Sequence, residues 1–301
     1  MWLLSTKTGR LTYYSSVHKA PKYAILSHVW RLPEEGGEDS FQLVEAYAKK
    51  CDRKHLINRG TATPRDFLSD KVRRFLIGAA EAGLDFAWCD TCCIDKTSSA
   101  ELSEAINSMF EYYARAHVCV AYLADVAPVK GREYYGDQII DSSSARIPSS
   151  KWFHRGWTLQ ELLAPQVVVF LASDWSRIGT KCDLAEFRFM TSVLPASILR
   201  CEQDLSDISV SVRLSWASQR QTTRWEDQAY CLFGLFGINM PTLYGEGGNA
   251  FYRLQEEILR THPDFSLFAW DYEREKPSTE YNKVCTTTTG AIVVLTPSLA
   301  I

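Results

Sequence analysis

The sequence has no apolar run long enough to cross a bilayer. The longest, near 229–238 and 167–172, fall far short of the ~20 residues a helical span needs. Residues 1–4 are apolar but 5–10 are polar, which is not the pattern of a secretory signal. Neither sign of charge is in excess: 33 Lys+Arg face 36 Asp+Glu, a net charge of −3. No general pull toward nucleic acid or an anionic membrane follows from that balance. Gly245-Glu246-Gly247-Gly248 lacks the order of a phosphate-binding P-loop, so no nucleoside triphosphate site is expected. Cys89-x-x-Cys92-Cys93 has no second C-x-x-C or paired histidines to complete a zinc site, so no metal is expected. Internal repeats and low-complexity segments are missing too.

What remains is an ordinary globular mixture. Apolar residues make up 46% and charged residues 23% of 301, enough for one large domain or two ordinary ones. Several of the nine cysteines sit in apolar runs, Cys119 in HVCVAYL and Cys231 in AYCLFGLFG, where a free thiol behaves as a small core residue. The expectation is a reduced, cytoplasmic protein without structural disulfides.

The first half alternates strand and helix signals. Residues 23–27 (YAILS), 84–88 (LDFAW), 117–123 (HVCVAYL) and 166–171 (QVVVFL) read as strands. Between them, 41–50 and 68–82 carry helical periodicity, with Leu68, Val72, Phe75, Leu76 and Ala79 on one face. Ser98-x-x-Glu101 fits a capping box before a third helix, which presents Leu102, Ile106, Met109, Phe110 and Tyr113 together. Residues 127–150 read as a long exposed loop, and 158–163 as a short helix stopped by Pro165. Such alternation predicts right-handed crossovers and a parallel sheet with helices on both faces. Ligands of such sheets bind outside the carboxyl ends of the strands.

The second half reads as mainly helical, over 184–199, 212–218, 226–236 and 250–261, with strand signals at 265–270 and 291–295. The expected division is an α/β domain over 1–175 and a helical extension over 176–301. Because the chain stops just after an apolar run, it reads as the N-terminal piece of a longer protein.

Three predicted strand ends are dense in polar residues: Leu26-Ser27-His28-Val29-Trp30, Trp88-Cys89-Asp90-Thr91-Cys92-Cys93-Ile94-Asp95-Lys96 and Trp152-Phe153-His154-Arg155-Gly156-Trp157-Thr158-Leu159-Gln160-Glu161-Leu162-Leu163-Ala164-Pro165. These segments resemble the signature blocks of the fungal heterokaryon-incompatibility (HET) domain. The stretch Thr223-Arg224-Trp225-Glu226-Asp227-Gln228-Ala229-Tyr230-Cys231-Leu232 and the later Leu243-Tyr244-Gly245-Glu246-Gly247 are similar to the usual continuation of such proteins. Arg31 departs from the pattern, which has Gly there, so the turn after the first strand is expected to differ.

HET domains are in turn distantly similar to TIR (Toll/interleukin receptor) domains. Residues 101–126 resemble the TIR helix that leads into a central strand, and Trp157-Thr158-Leu159-Gln160-Glu161-Leu162 resembles the TIR pattern Trp-Cys-Leu-x-Glu-Leu. The resemblance implies a TIR-like, flavodoxin-like α/β sheet, self-association when active, and NAD⁺ as substrate rather than cofactor. It also implies that Glu161 is the catalytic carboxylate of a cell-death effector in self/non-self recognition. A non-enzymatic signalling module that works by assembly is the competing expectation.

The implied substrate-binding residues are Ser27, His28, Trp30, Asp90, Asp95, Lys96, Arg155 and Trp157. Each has a plainer alternative. Thr158-x-x-Glu161 is itself a capping-box pattern, worth ~1 kcal/mol to a helix. Asp90 suits an Asx-type turn. His28 suits a structural hydrogen bond, and Trp30 can simply cover the core edge. The cysteine cluster reads as packing, or less readily as a Cys89 nucleophile with His28 and Asp95.

Overall fold

A computed structural model describes residues 1–56, 61–128, 134–135, 138–139, 147–185 and 194–268. Strands β1 (Trp2–Ser5) and β2 (Leu11–Tyr13) form a hairpin ahead of β3 (Tyr23–His28). Then come α1 (Phe41–Leu56), α2 (Asp70–Glu81), β4 (Phe86–Trp88), α3 (Asp90–Cys93), α4 (Ser99–Ala114) and β5 (Val118–Tyr122). A small pair, β6 (Tyr134–Tyr135) and β7 (Gln138–Ile139), interrupts the segment expected as loop. Helices α5 (Lys151–His154) and α6 (Thr158–Leu163) precede β8 (Val168–Leu171) and β9 (Arg177–Thr180).

One seven-stranded sheet runs β2-β1-β4-β3-β5-β8-β9. Its centre, β4-β3-β5-β8, is parallel. Numbered by their own order in the chain, these four stand 2-1-3-4. The expectation of a parallel sheet holds for this centre and fails at both edges, where β1, β2 and β9 run antiparallel to their neighbours. The reason is connection length. Five residues between β1 and β2, and five between β8 and β9, cannot make the crossover that parallel pairing demands.

All six residues of β3 are buried, as a strand covered on both faces must be. Helix α2 packs on β3 and β4, whereas α6 packs on β3 and α4. Because successive side chains of a strand point to opposite faces, Ser27 meets α6 and His28 meets α2. Ser98 caps α4 by accepting from the Glu101 N–H at 3.3 Å, but the Glu101 carboxylate reaches past the cap to the Asp95 N–H at 2.9 Å. Only half of the expected capping box forms.

The second half is helical in shorter pieces than the periodicity predicts: α7 (Lys181–Leu184), α8 (Ala196–Leu199), α9 (Val210–Ser215), α10 (Asp227–Tyr230), α11 (Phe233–Phe236) and α12 (Asn249–Thr261). The single helix expected over 226–236 is broken into α10 and α11, and Gly237 ends it in the left-handed region at φ 62°. The strand expected at 265–270 is instead a 3₁₀ turn over Phe265–Phe268. Asp264 bends the chain there by accepting from the N–H groups of Ser266 at 2.9 Å and Val210 at 2.8 Å. Residues 291–295 lie outside the described residues. One buried cluster runs from Leu3 and Leu4 through the sheet to Phe236 and Ile258. The eight described cysteines are all free thiols, and only Cys182 and Cys201 are exposed. Among the described residues, no helix is long and apolar enough to cross a membrane.

Helices α4 and α11 touch at Gly234, where an added Cβ would stand 2.1 Å from Phe110 Cβ. Gly234→Ala is therefore expected to destabilise the protein by about 1–3 kcal/mol through overpacking. Urea unfolding of the two proteins checks this; equal midpoints would mean that the helices are not so closely packed.

Candidate functional site

The end of β3 anchors two buried polar networks, one on each face of the sheet. On the first face, Ser27 Oγ donates to Glu161 Oε2 and accepts from Trp152 Nε1 at 2.7 Å. The Ser27 hydroxyl thus gives its one hydrogen and receives one from the indole. Trp152 is fully buried in α5, and Ser150 caps that helix. Glu161 is partly buried.

On the second face, His28 Nε2 lies 3.0 Å from Asp90 Oδ1 and His28 Nδ1 lies 2.7 Å from Lys71 Nζ. Lys71 also donates to Glu38 Oε1 at 2.5 Å. Only one proton fits between Nζ and Nδ1. In either arrangement Nε2 carries a hydrogen that points at Asp90. Burial opposes charge on His28, but Cys89 and Asp90 raise its pKa to about 9. Asp90 Oδ2 takes the Trp30 indole N–H at 2.8 Å. Glu38 accepts the Arg31 N–H at 2.5 Å, so the residue that departs from the family pattern is tied into this network. Cys89 Sγ lies 3.6 Å from His28 Nε2.

The two carboxylates are tuned in opposite directions. Burial opposes charge on Asp90, but the hydrogen bond from His28 and the charge of Lys96 outweigh it and hold its pKa well below the usual carboxylate range. Burial pushes Glu161 up to about 7; Asp90's charge adds to that, while Ser27, Arg155 and His28 pull the other way. A pair of carboxyl groups driven apart in this way is what acid–base and charge-stabilising sites use.

Several alternatives are now decided. Glu161 does not cap α6: its carboxylate goes to Ser27, and the Thr158 hydroxyl turns to the carbonyls of Trp152 and Arg155. Asp90 is not a turn residue alone but the link between His28 and Trp30. Asp95 lies apart from the His28 network, accepting from Gln42 at 2.6 Å and from Thr97. It is therefore not the partner of a Cys89–His28 pair. Trp157 is half-buried just before α6, on the side of Asp227 in α10. Trp88 and Trp152, tryptophans of the signature blocks, are fully buried core residues rather than pocket wall. Trp30, Lys96 and Arg155 do converge, with Lys96 Nζ 3.7 Å and the Arg155 guanidinium carbon 5.7 Å from the Trp30 ring centre.

Among the described residues, His28, Cys89 and Asp90 are the group whose ligand atoms, all within 4.8 Å, can gather round a metal ion. Their surroundings do not suit one. A ligating histidine normally passes its other ring hydrogen to an acceptor, but here the ammonium of Lys71 faces that nitrogen. Three ligands also fall short of a closed structural zinc site.

Sequence reasoning missed Lys71 and Glu38, because a lysine in an amphipathic helix and a glutamate in a polar loop read as solvated. It also missed residues 220–221. Arg220 Nη1 donates to the Arg155 carbonyl and to Thr158 Oγ1, both at 2.9 Å. Gln221 pairs on either side of Arg155, its N–H to the His154 carbonyl at 2.6 Å and its carbonyl from the Gly156 N–H at 2.8 Å. Gly156 has no room for a side chain there, since a Cβ would lie 2.5 Å from Thr222 Cγ2.

This chain belongs to the heterokaryon incompatibility protein (HET) family, whose match spans residues 23–139. It is 42% identical over 241 residues, 80% of its length, to the vegetative incompatibility protein HET-E-1 of Podospora anserina. The match covers 16% of that much longer protein. Residues 249–292 match a domain of unknown function, DUF8212. No solved structure matches the chain. The family match contains Ser27, His28, Lys71 and Asp90, while Trp152, Arg155 and Glu161 lie beyond its end.

Since Glu161 binds its proton more tightly folded than unfolded, the stability this group contributes is full below about 4.5 and is lost as pH rises through about 7. Glu161→Gln removes that loss. Relative to wild type, the variant is expected to gain about 3 kcal/mol between about pH 4 and about pH 8. Unfolding free energies of both proteins across that range check it; a difference that stays constant would show that Glu161 titrates normally.

Proposed function

We propose that this chain is the cell-death effector module of a cytoplasmic fungal self/non-self recognition protein. On this reading it cleaves NAD⁺ at the nicotinamide–ribose bond, with Glu161 as the catalytic carboxylate and self-association in the active state. The relative's name, a vegetative incompatibility protein, supports the biological setting. A TIR-like architecture is supported by the 2-1-3-4 order of the parallel strands, which is that of flavodoxin-like sheets.

One observation carries the chemistry: Glu161 is partly open, is held by Ser27 from β3 and has no capping duty. Cleavage of an N-glycosidic bond passes through an oxocarbenium-like transition state. The nicotinamide of NAD⁺ already carries positive charge and leaves as a neutral ring, so no general acid is needed. A single carboxylate can then bind ribose hydroxyls and stabilise the charge that develops on the sugar. A cationic ring beside Glu161 also favours its ionised form, which is otherwise only half populated near pH 7. Ser27 fixes the carboxylate, and the His28–Asp90 pair holds a second, permanently ionised carboxylate nearby.

The test is NAD⁺ consumption by the purified, clustered protein and by cells expressing it. Glu161→Gln keeps shape and hydrogen bonding and is expected to lower turnover about a hundredfold or more, with toxicity lost in parallel. Wild-type killing by a folded Glu161→Gln would sink the reading and favour a module that signals by assembly alone. The pH profile adds a second check. The ionised form is the active one, so kcat/KM should rise about tenfold per pH unit and level off above about 7. A profile flat between about pH 5 and about pH 8 would exclude Glu161 as the group that matters.

A further inference from the structure

Two cations, Lys96 and Arg155, stand beside Trp30 at the rim of the sheet. Among the described residues, neither Lys96 nor Arg155 forms an ion pair. Both instead lie against one indole, that of Trp30, which is 42% exposed. The Trp30 ring cannot swing freely, because its N–H is held by Asp90. The three residues come from three different loops: Trp30 follows β3, Lys96 follows α3 and Arg155 precedes α6. They meet at the carboxyl-end rim of the sheet, next to the point where the strand order reverses and doubly wound sheets hold their ligands.

The charge layout runs in one direction. Carboxylates lie inside, at Asp90 and Glu161, and cations lie outside. Each cation acts on one of those carboxylates, Lys96 on Asp90 and Arg155 on Glu161, yet bonds neither. A ligand that matches must present hydroxyls or positive charge inward and negative charge outward. Arginine offers a planar fork and lysine a mobile point charge, the combination that recurs around phosphates.

We propose that Lys96 and Arg155 form a diphosphate-binding rim, and that Lys96 leaves the face of Trp30 when a nucleoside diphosphate ester binds. This deepens the NAD⁺ reading and rests on it for the bond that is then cleaved. It adds that recognition lies in the phosphates, so that a phosphate-free nucleoside is a poor ligand.

The experiment is calorimetric titration of the full chain, with Trp fluorescence followed in parallel. The probes are ADP-ribose, inorganic pyrophosphate and nicotinamide riboside. ADP-ribose is expected to bind at least about tenfold more tightly than the riboside and to change Trp emission. Lys96→Gln and Arg155→Gln should each weaken ADP-ribose about tenfold or more, and change riboside binding by much less. Both side chains reach solvent, so the variants should fold; Lys96→Glu supplies a second, stronger test at the more exposed position. Wild-type ADP-ribose affinity in a folded Lys96→Glu or Arg155→Gln would overturn the proposal, as would equal affinity for riboside and ADP-ribose. Should ADP-ribose bind through both cations while NAD⁺ is never consumed, the rim stands and the reaction falls.

Discussion

Everything at this site hangs from two adjacent residues at the end of β3. A strand sends successive side chains to opposite faces, so Ser27 and His28 cannot share partners. Both are buried, and a buried polar group left unpaired costs about 1–3 kcal/mol. Each must therefore be satisfied by whatever covers its own face. For Ser27 those partners are Trp152 and Glu161; for His28 they are Lys71 and Asp90. The result is a clamp that pins α2, α3, α5 and α6 to one strand end. The carboxylates are thus oriented by the demand for hydrogen-bond satisfaction, and their chemistry follows from where that demand puts them.

The difference between the two acids follows the same logic. Asp90 receives hydrogen bonds from two donors, His28 and Trp30, and lies near Lys96, so its ionised form is repaid for burial. Glu161 receives one, from Ser27, and Arg155, whose charge acts on it, does not bond it, so burial dominates. Two carboxyl groups on one rim thus acquire separate roles from their surroundings alone. The ionised aspartate is a structural constant. The glutamate is the one whose protonation changes near neutral pH.

Much of this was legible in the residues. Apolar runs located β3, β4, β5 and β8, and a 3.6-residue period located α2 and α12, because burial selects those patterns directly. Density of polar groups at strand ends marked the three blocks, and the resemblance to TIR domains, not the pattern itself, singled out Glu161. The edge strands were not legible, since β2 has three residues of which none is buried and β9 alternates over only four. Nor was Lys71. It stands one position before Val72 on the buried side of α2, and only the tertiary neighbour His28 explains why a lysine tolerates that place. Capping patterns misled in a specific way. Thr158-x-x-Glu161 has the letters of a capping box, but the helix starts within an already helical backbone at Trp157 and the glutamate is drawn off by a serine 134 residues away.

The composite origin of the site bears on how the family match should be read. The matched span ends at residue 139, before α6 begins. It supplies the strand, the histidine and the aspartate, but neither Trp152 nor Glu161. Those come from the following segment, and that segment is braced from still further along the chain. Arg220 is held at the start of α6, where burial lowers its pKa to about 10 while Cys231 and Glu161 favour its charge. Gln221 lies like a short strand beside residues 154–156, and Gly156 leaves it the space to do so. The turn that carries Arg155 and leads into α6 is thereby gripped by residues of the helical half. A glutamate on a six-residue helix has little rigidity of its own, and a site needs its charged groups held to a fraction of an ångström. The helical half thus helps to hold the turn before Glu161, and the structural unit around that residue extends well past the matched span.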